Sequence, residues 1–218
     1  MIRRIAVALF AGLLSFGAAP SGAQAAPPEA HAVIQKMLAS NPSLRSFQAR
    51  VHVDVRMLNF PFLSPKLDGT SYFKRPNNYE VVFDRVPSYA KGFQKLFAAI
   101  GDPASWEKDQ NLAVDGRQSL NGRPAITLRM TKKVHSDQLD YTVAYVDPST
   151  YQVLQMEWHY TNGGLITMTQ TFKGEGPYTV IASQHAEIHI PHVRAVADAS
   201  YAQYRTNVAV DDAVFARK

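Results

Sequence analysis

A chain of 218 residues without cysteine cannot be stapled by disulfides, so its stability has to come from a buried core. The formal charge of +5 is a mild excess whose signs alternate along the chain, which excludes the clustered basic residues that nucleic-acid binding needs. This length is enough for one core, and a single domain is expected.

The chain opens with Arg3 and Arg4, an apolar run from Ile5 to Phe16, and small residues ending in Ala23-Gln24-Ala25. That is the three-part layout of a secretory signal peptide cut after Ala25, leaving 26–218 as the mature domain. The apolar run is shorter than the roughly 20 residues a membrane-spanning helix requires. Removal of the two arginines takes the charge from +5 to +3. The expected product is an exported, soluble protein, periplasmic or, in an organism with one membrane, secreted.

In the mature chain, Glu29 to Ser40 reads as a helix, with Val33, Met37 and Leu38 at helical spacing and Asn41-Pro42 as its stop. Next, Phe47, Ala49, Val51, Val53, Val55 and Met57 alternate with Gln48, Arg50, His52, Asp54 and Arg56. Such a long alternation predicts a strand with one face in a core and one in water, within a large curved sheet. FPFLSPK then forms a proline-bound loop presenting Phe60, Phe62 and Leu63. Strands around Gly69–Lys74 and Tyr79–Phe83 follow, and Ser88–Ile100 reads as a second helix carrying Tyr89, Phe93, Phe97 and Ile100 on one side. Gly101-Asp102-Pro103 ends that helix.

From Asn111 the pattern is a meander, with turns at Asn121-Gly122, Asp147-Pro148-Ser149-Thr150, Asn162-Gly163-Gly164 and Gly174-Glu175-Gly176-Pro177. Leu154, Met156, Trp158 and Tyr160 are expected to share one strand face. The fold class is therefore α+β, mainly β: a curved antiparallel sheet forming an unclosed half-barrel, capped by two or more helices.

Catalytic signatures are missing. There is no G-x-S-x-G elbow and no thiol, and the glycine pairs fall between strands, where they make turns. His185, Glu187 and His189 project from one strand face and raise a zinc site or an exported hydrolase as readings. Their alternation with Ile188 and Ile190, however, is that of a half-buried strand with a solvated side. The expectation is a solvated face, with no metal, no cofactor and no enzyme. The apolar surplus lies elsewhere: the lid set Phe60, Phe62, Leu63, Tyr89, Phe93, Phe97 and Ile100 faces the wall set Val51, Val53, Val55, Met57, Met156 and Trp158. A cavity between them would suit acyl chains; the same side chains could equally close on one another as a filled core.

The order of parts, with NPSLRSFQARV leading into the long strand, YVDPSTYQVLQMEW in the middle and YRTNVAVDDAVF near the end, resembles the LolA/LolB-like superfamily of periplasmic lipoprotein carriers. Leu44, Ser46 and Phe47 resemble its entry into the first strand, Asp147-Pro148 with Tyr151, Val153 and Leu154 its central hairpin, and Asn207 with Phe215 its ending. The resemblance implies an unclosed barrel whose cavity holds acyl chains, and a first-strand arginine that corresponds to Arg50 or Arg56. The segment after Ala209 departs from it, being too short for the extra strand of the best-known carriers. Two functions follow. One is a monomeric carrier for a lipid or lipidated protein, served by inner- or outer-membrane donor and acceptor proteins. The other is a sensor or interaction module on the same scaffold with a closed core.

Overall fold

The computed structural model describes residues 29–76, 78–87, 103–134, 136 and 138–216. The signal peptide expected at 1–25 and the helix expected at Ser88–Ile100, with Tyr89, Phe93, Phe97 and Ile100, both lie outside the described residues.

Helix α1 (Ala30–Leu38) leads into β1 (Ser46–Met57), β2 (Lys66–Lys74) and β3 (Asn78–Phe83). A short helix, α2 (Pro103–Asp109), precedes β4 (Gln110–Leu120), β5 (Arg123–Lys132), β6 (Leu139–Val146) and β7 (Val153–Tyr160). Then come β8 (Leu165–Glu175), β9 (Tyr178–Ile190), β10 (Val193–Thr206) and a 3₁₀ turn at Asp212–Val214. The strands form a single ten-stranded antiparallel sheet in the order β3-β2-β1-β10-β9-β8-β7-β6-β5-β4. It is not closed: β3 and β4 are its two edges.

Val81 and Phe83 of β3, and Leu112 and Val114 of β4, pack in the same core cluster, so the sheet curls until both edges serve one interior. The mainly β, unclosed architecture expected from the sequence is the one observed. Helix α1 lies inside the curl because Val33, Ile34 and Met37 form its apolar stripe and are buried. It runs beside α2 and β4. His31 Nδ1 meets Glu107 Oε1 at 2.8 Å, tying α1 to α2. From α2, Trp106 enters the core and is 3% exposed.

In β1, Phe47, Ala49, Val51, Val53 and Val55 are buried and Met57 is half-buried, as the alternation requires. Arg50 and Arg56 point outward and pair with Asp84 at 3.0 Å and Asp198 at 3.5 Å. Gly69 in β2 sits where the edge strand passes closest: a Cβ there would lie 2.5 Å from the Val82 carbonyl oxygen.

Two local readings are corrected. Pro103, read from the sequence as part of a helix stop, is the first residue of α2, a position proline suits because a first-turn N–H has no helical partner. In β7, Tyr145 faces Gln155 while Val146 faces Val153, so Leu154 is the extra residue of a β-bulge. The bulge turns Val153 into the core in place of Leu154, ahead of Met156 and Trp158.

Candidate functional site

The inner side of the sheet is filled in its middle and open at one end. A cavity of about 170 Å³ lies at the end where β1 begins and β2 stops. Its apolar walls come from Met37 and Leu38 of α1, Leu44, Phe47 of β1, Phe73 of β2, Val153 of β7, Phe172 of β8, and Val180 and Ile181 of β9. Tyr79, Arg75, Pro103, Tyr151 and Gln170 are among the other residues that line it.

The rings are locked to one another. Phe47 stacks on Phe73 with centroids 5.4 Å apart and meets Tyr204 edge-on at 5.3 Å and Tyr79 at 6.3 Å.

The rim is braced by side chains that satisfy the helix-to-strand connection. Arg75 donates from Nε to the Leu44 carbonyl at 2.7 Å, and from Nη2 to the carbonyls of Asn41 at 2.7 Å and Leu38 at 3.3 Å. These include a carbonyl from the last turn of α1, which has no partner within the helix. Asn41 both donates to the Thr179 carbonyl at 2.8 Å and accepts from the Thr179 amide at 3.1 Å, imitating a strand pair. Asn207, whose φ of 54° places it in the left-handed region, accepts from the Arg45 amide at 2.8 Å and donates to Tyr178 Oη at 2.8 Å. Lys36 donates to Tyr151 Oη at 2.9 Å on the opposite side of the helix end.

Between the filled middle and the cavity runs a seam of buried polar groups. Gln170 Nε2 donates to the Val153 carbonyl at 2.6 Å, Gln184 Nε2 to Gln170 Oε1 at 3.2 Å, and Tyr201 Oη to Gln184 Oε1 at 2.6 Å. On the far side, Ser71 donates to Tyr79 Oη at 3.0 Å. Burial pushes the Tyr201 phenol well above its ordinary value and the Tyr79 phenol up as well, although the Ser71 hydroxyl works against the latter. Both stay protonated at neutral pH, and the seam is a set of neutral hydrogen bonds rather than charges. It offers neither an activated nucleophile nor a poised base.

Val51, Val53, Val55, Met156 and Trp158 all lie within the buried core cluster, none more than 8% exposed, and Met57 packs against it. Phe60, Phe62 and Leu63 occupy the β1–β2 loop at the opposite end of the sheet. None of these nine residues lines the cavity. Most lining residues come from the ends of elements or the turns beside them, where alternation fades, and Gln170 and Phe172 join them from the middle of β8. One signal could have found them: Gln170 falls in the inward phase of Ile166 and Met168, and Gln184 in that of Ala186 and Ile188. A glutamine on an otherwise apolar face marks either a polar seam or the edge of a filled core.

On the outer surface, His185 Nδ1 meets Asp198 Oδ1 at 2.6 Å and its Nε2 lies 3.8 Å from Glu187, while His189 is exposed. Among the described residues no group of three or more His, Cys, Asp or Glu side chains is placed to hold a metal ion.

No family model and no curated protein sequence matches the chain. Solved structures do. A LolA superfamily protein from Nitrosomonas europaea is 13% identical with a TM-score of 0.63, over 86% of this chain and 97% of that one. An outer membrane lipoprotein-sorting protein domain from Vibrio parahaemolyticus is 12% identical with a TM-score of 0.63, over 84% and 94%. A DUF1329 family protein from Desulfovibrio piger is 11% identical with a TM-score of 0.62, over 85% and 96%. At these identities the likeness is one of architecture, and it defines a LolA-like fold.

Proposed function

We propose that this protein is an exported, non-catalytic carrier that holds an acyl chain of a lipid or lipidated protein in the cavity beside the end of α1. The observation that carries this reading is the cavity itself: a space walled by Leu44, Phe47, Phe73, Phe172 and Val180 on a scaffold that otherwise packs its interior tightly. The names of two structural neighbours, a lipoprotein-sorting domain and a LolA superfamily protein, support the same class of ligand. Residues 1–25 would direct export and 26–218 would form one carrier domain, monomeric and working in the periplasm between membrane-bound donor and acceptor proteins.

At about 170 Å³ the cavity is smaller than the roughly 300–1,000 Å³ of typical small-ligand sites. It therefore seats the end of a chain, and the remainder enters as the last turn of α1 swings away from Tyr151 and the Arg75 clamp. Each methylene removed from water contributes about 0.8 kcal/mol. The guest leaves when an acceptor binds it more tightly than the open form does, since only differential affinity shifts such an equilibrium.

The filled middle of the sheet favours a second reading, a sensor or interaction module whose core stays closed. Titration with a fluorescent polyene fatty acid, beside native mass spectrometry of protein purified without detergent, separates the two. A carrier gains saturable fluorescence, and Phe172→Asp loses it while the melting transition persists. No uptake by the wild type at any concentration rejects the carrier.

A further inference from the structure

The cavity wall includes one charged side chain whose charge the protein leaves unmatched. Arg75 lines the cavity and is half-buried. Its three hydrogen bonds all go to backbone carbonyls, Nε to Leu44 and Nη2 to Asn41 and Leu38. Carbonyls orient a guanidinium but carry no net charge. Among the described residues no carboxylate pairs with Arg75, and its Nη1 has no partner in the protein.

The acids nearby are accounted for elsewhere. None of the lining residues is an aspartate or glutamate. Asp212 pairs with Lys74 at 2.6 Å, Glu107 meets His31 at 2.8 Å, and Asp147 accepts from the Ser149 and Thr150 amides within its own turn. Glu80 follows Tyr79 in β3 and so projects from the other face of that strand, and Glu175 stands at the far end of β8. A second cation sits across the helix end: Lys36 donates to Tyr151 Oη at 2.9 Å, lies 4.8 Å from the centre of the same ring, and has no carboxylate partner among the described residues.

Entry of a chain, in the carrier reading, moves the last turn of α1 away from Arg75. That movement withdraws the Leu38 and Asn41 carbonyls from Nη2, while the Leu44 carbonyl still holds Nε. Nη1 and Nη2 then present two parallel N–H groups at the mouth, the fork that a carboxylate or phosphate takes in two charge-assisted hydrogen bonds. A neutral headgroup would leave the half-buried charge as unmatched as before. An anion thus binds the open form better than the closed one, which is the differential contact that opening requires.

We propose that the guest is a single-chain anionic amphiphile, its carboxylate or phosphate held by Arg75 at the mouth and its chain running along Leu44, Phe47 and Phe172. This rests on the carrier reading and narrows it: a space of about 170 Å³ takes one chain, and a lipid whose polar end is uncharged lacks the group that Arg75 selects.

Calorimetric titration of the mature protein with dodecanol, laurate and dodecyl phosphate, each below its micellar concentration, tests it. The three share one chain length and differ only at the polar end. Laurate, dodecyl phosphate or both should bind roughly tenfold or more tightly than dodecanol, and the tighter of the two identifies the headgroup. Arg75→Met should erase that preference, whereas Lys36→Gln should keep it. Because Arg75 also braces the rim, the wild type supplies a readout that needs no variant: the Arg75 Nε–H resonance should shift on adding the preferred anion and stay in place on adding dodecanol. Equal affinity for all three ligands overturns the proposal and leaves the carrier standing; uptake of none rejects the carrier reading and the proposal with it. A preference that persists in folded Arg75→Met, a preference lost in Lys36→Gln alone, or an Nε–H resonance indifferent to both anions also overturns it.

Discussion

Along β1 the concave side changes character within a few residues. At Val51, Val53 and Val55 it is dry, none of them more than 2% exposed, with Ile34 of α1 and Met156 of β7 in the same cluster. At Phe47 it borders open space. Branched aliphatic and methionine side chains interdigitate and leave no gap, whereas the three rings around Phe47 are held by stacked and edge-on contacts that cannot also fill the space beside them. The seam through Gln170, Gln184 and Tyr201 divides the two zones, because its amides and phenol need partners and cannot yield to a hydrocarbon without losing them. The half-barrel thus holds its shape with one zone and keeps room in the other.

The sharpest way to break this contrast is truncation on either side of the seam. Met156→Ala, at 2% exposure, should cost about 2–5 kcal/mol in urea unfolding. Leu38→Ala, half-buried at the cavity wall, should cost about 1 kcal/mol or less, since the space beside it is already empty. Equal losses would mean that the cavity end is packed as tightly as the middle.

Gly69→Ala probes the filled zone from the opposite direction. Its new methyl would meet the Val82 carbonyl at 2.5 Å and the Phe83 ring at 2.8 Å, forcing β2 and β3 apart. A loss of about 1–3 kcal/mol is expected, with faster amide exchange in β3. The seam itself is tested by Gln184→Leu, which strands Tyr201 Oη and one carboxamide oxygen of Gln170; about 1–3 kcal/mol should go, and Tyr201→Phe in the same background should restore part of it.

The smallest effect is on the outer face. The hydrogen bond to Asp68, aided by the charges of Asp68 and Asp54, raises the His52 pKa above its ordinary 6.5, despite some opposing burial. Lys66, ion-paired with Asp54 at 3.2 Å, is the cation of this group. The folded state therefore binds the His52 proton more tightly than the unfolded chain does. Its stabilisation is complete below about pH 6.5 and is lost as pH rises through the folded value. His52→Asn should flatten the melting temperature over that window by a degree or so, and leave the wild-type slope only if His52 contributes nothing.

The sequence was most legible where one rule operated over many residues. From Phe47 to Met57, β1 alternates cleanly because one face is core and the other water, and the one irregularity beside it, opposite Gln48 and Arg50, takes its extra residue from β10. Short devices were illegible for the same reason. Helix α2 has seven residues, too few for a helical period to show, and the Leu154 bulge shifts the phase by one position that only pairing with β6 reveals. The cavity was the least legible part. Met37, Phe47, Phe73, Gln170 and Val180 come from five separate elements and share no local pattern, whereas the wall predicted from strand centres lies within the buried core.

The two unpaired margins of the sheet, β3 and β4, follow each other in the chain, separated only by residues 84–109. At about 3.3 Å for each extended residue that tether outreaches ten strands set about 4.8 Å apart, so the backbone does not limit how far the curl can open. Resistance to unrolling rests instead on the interior that the two margins share, and a cut within the tether would leave the shell's grip on itself intact.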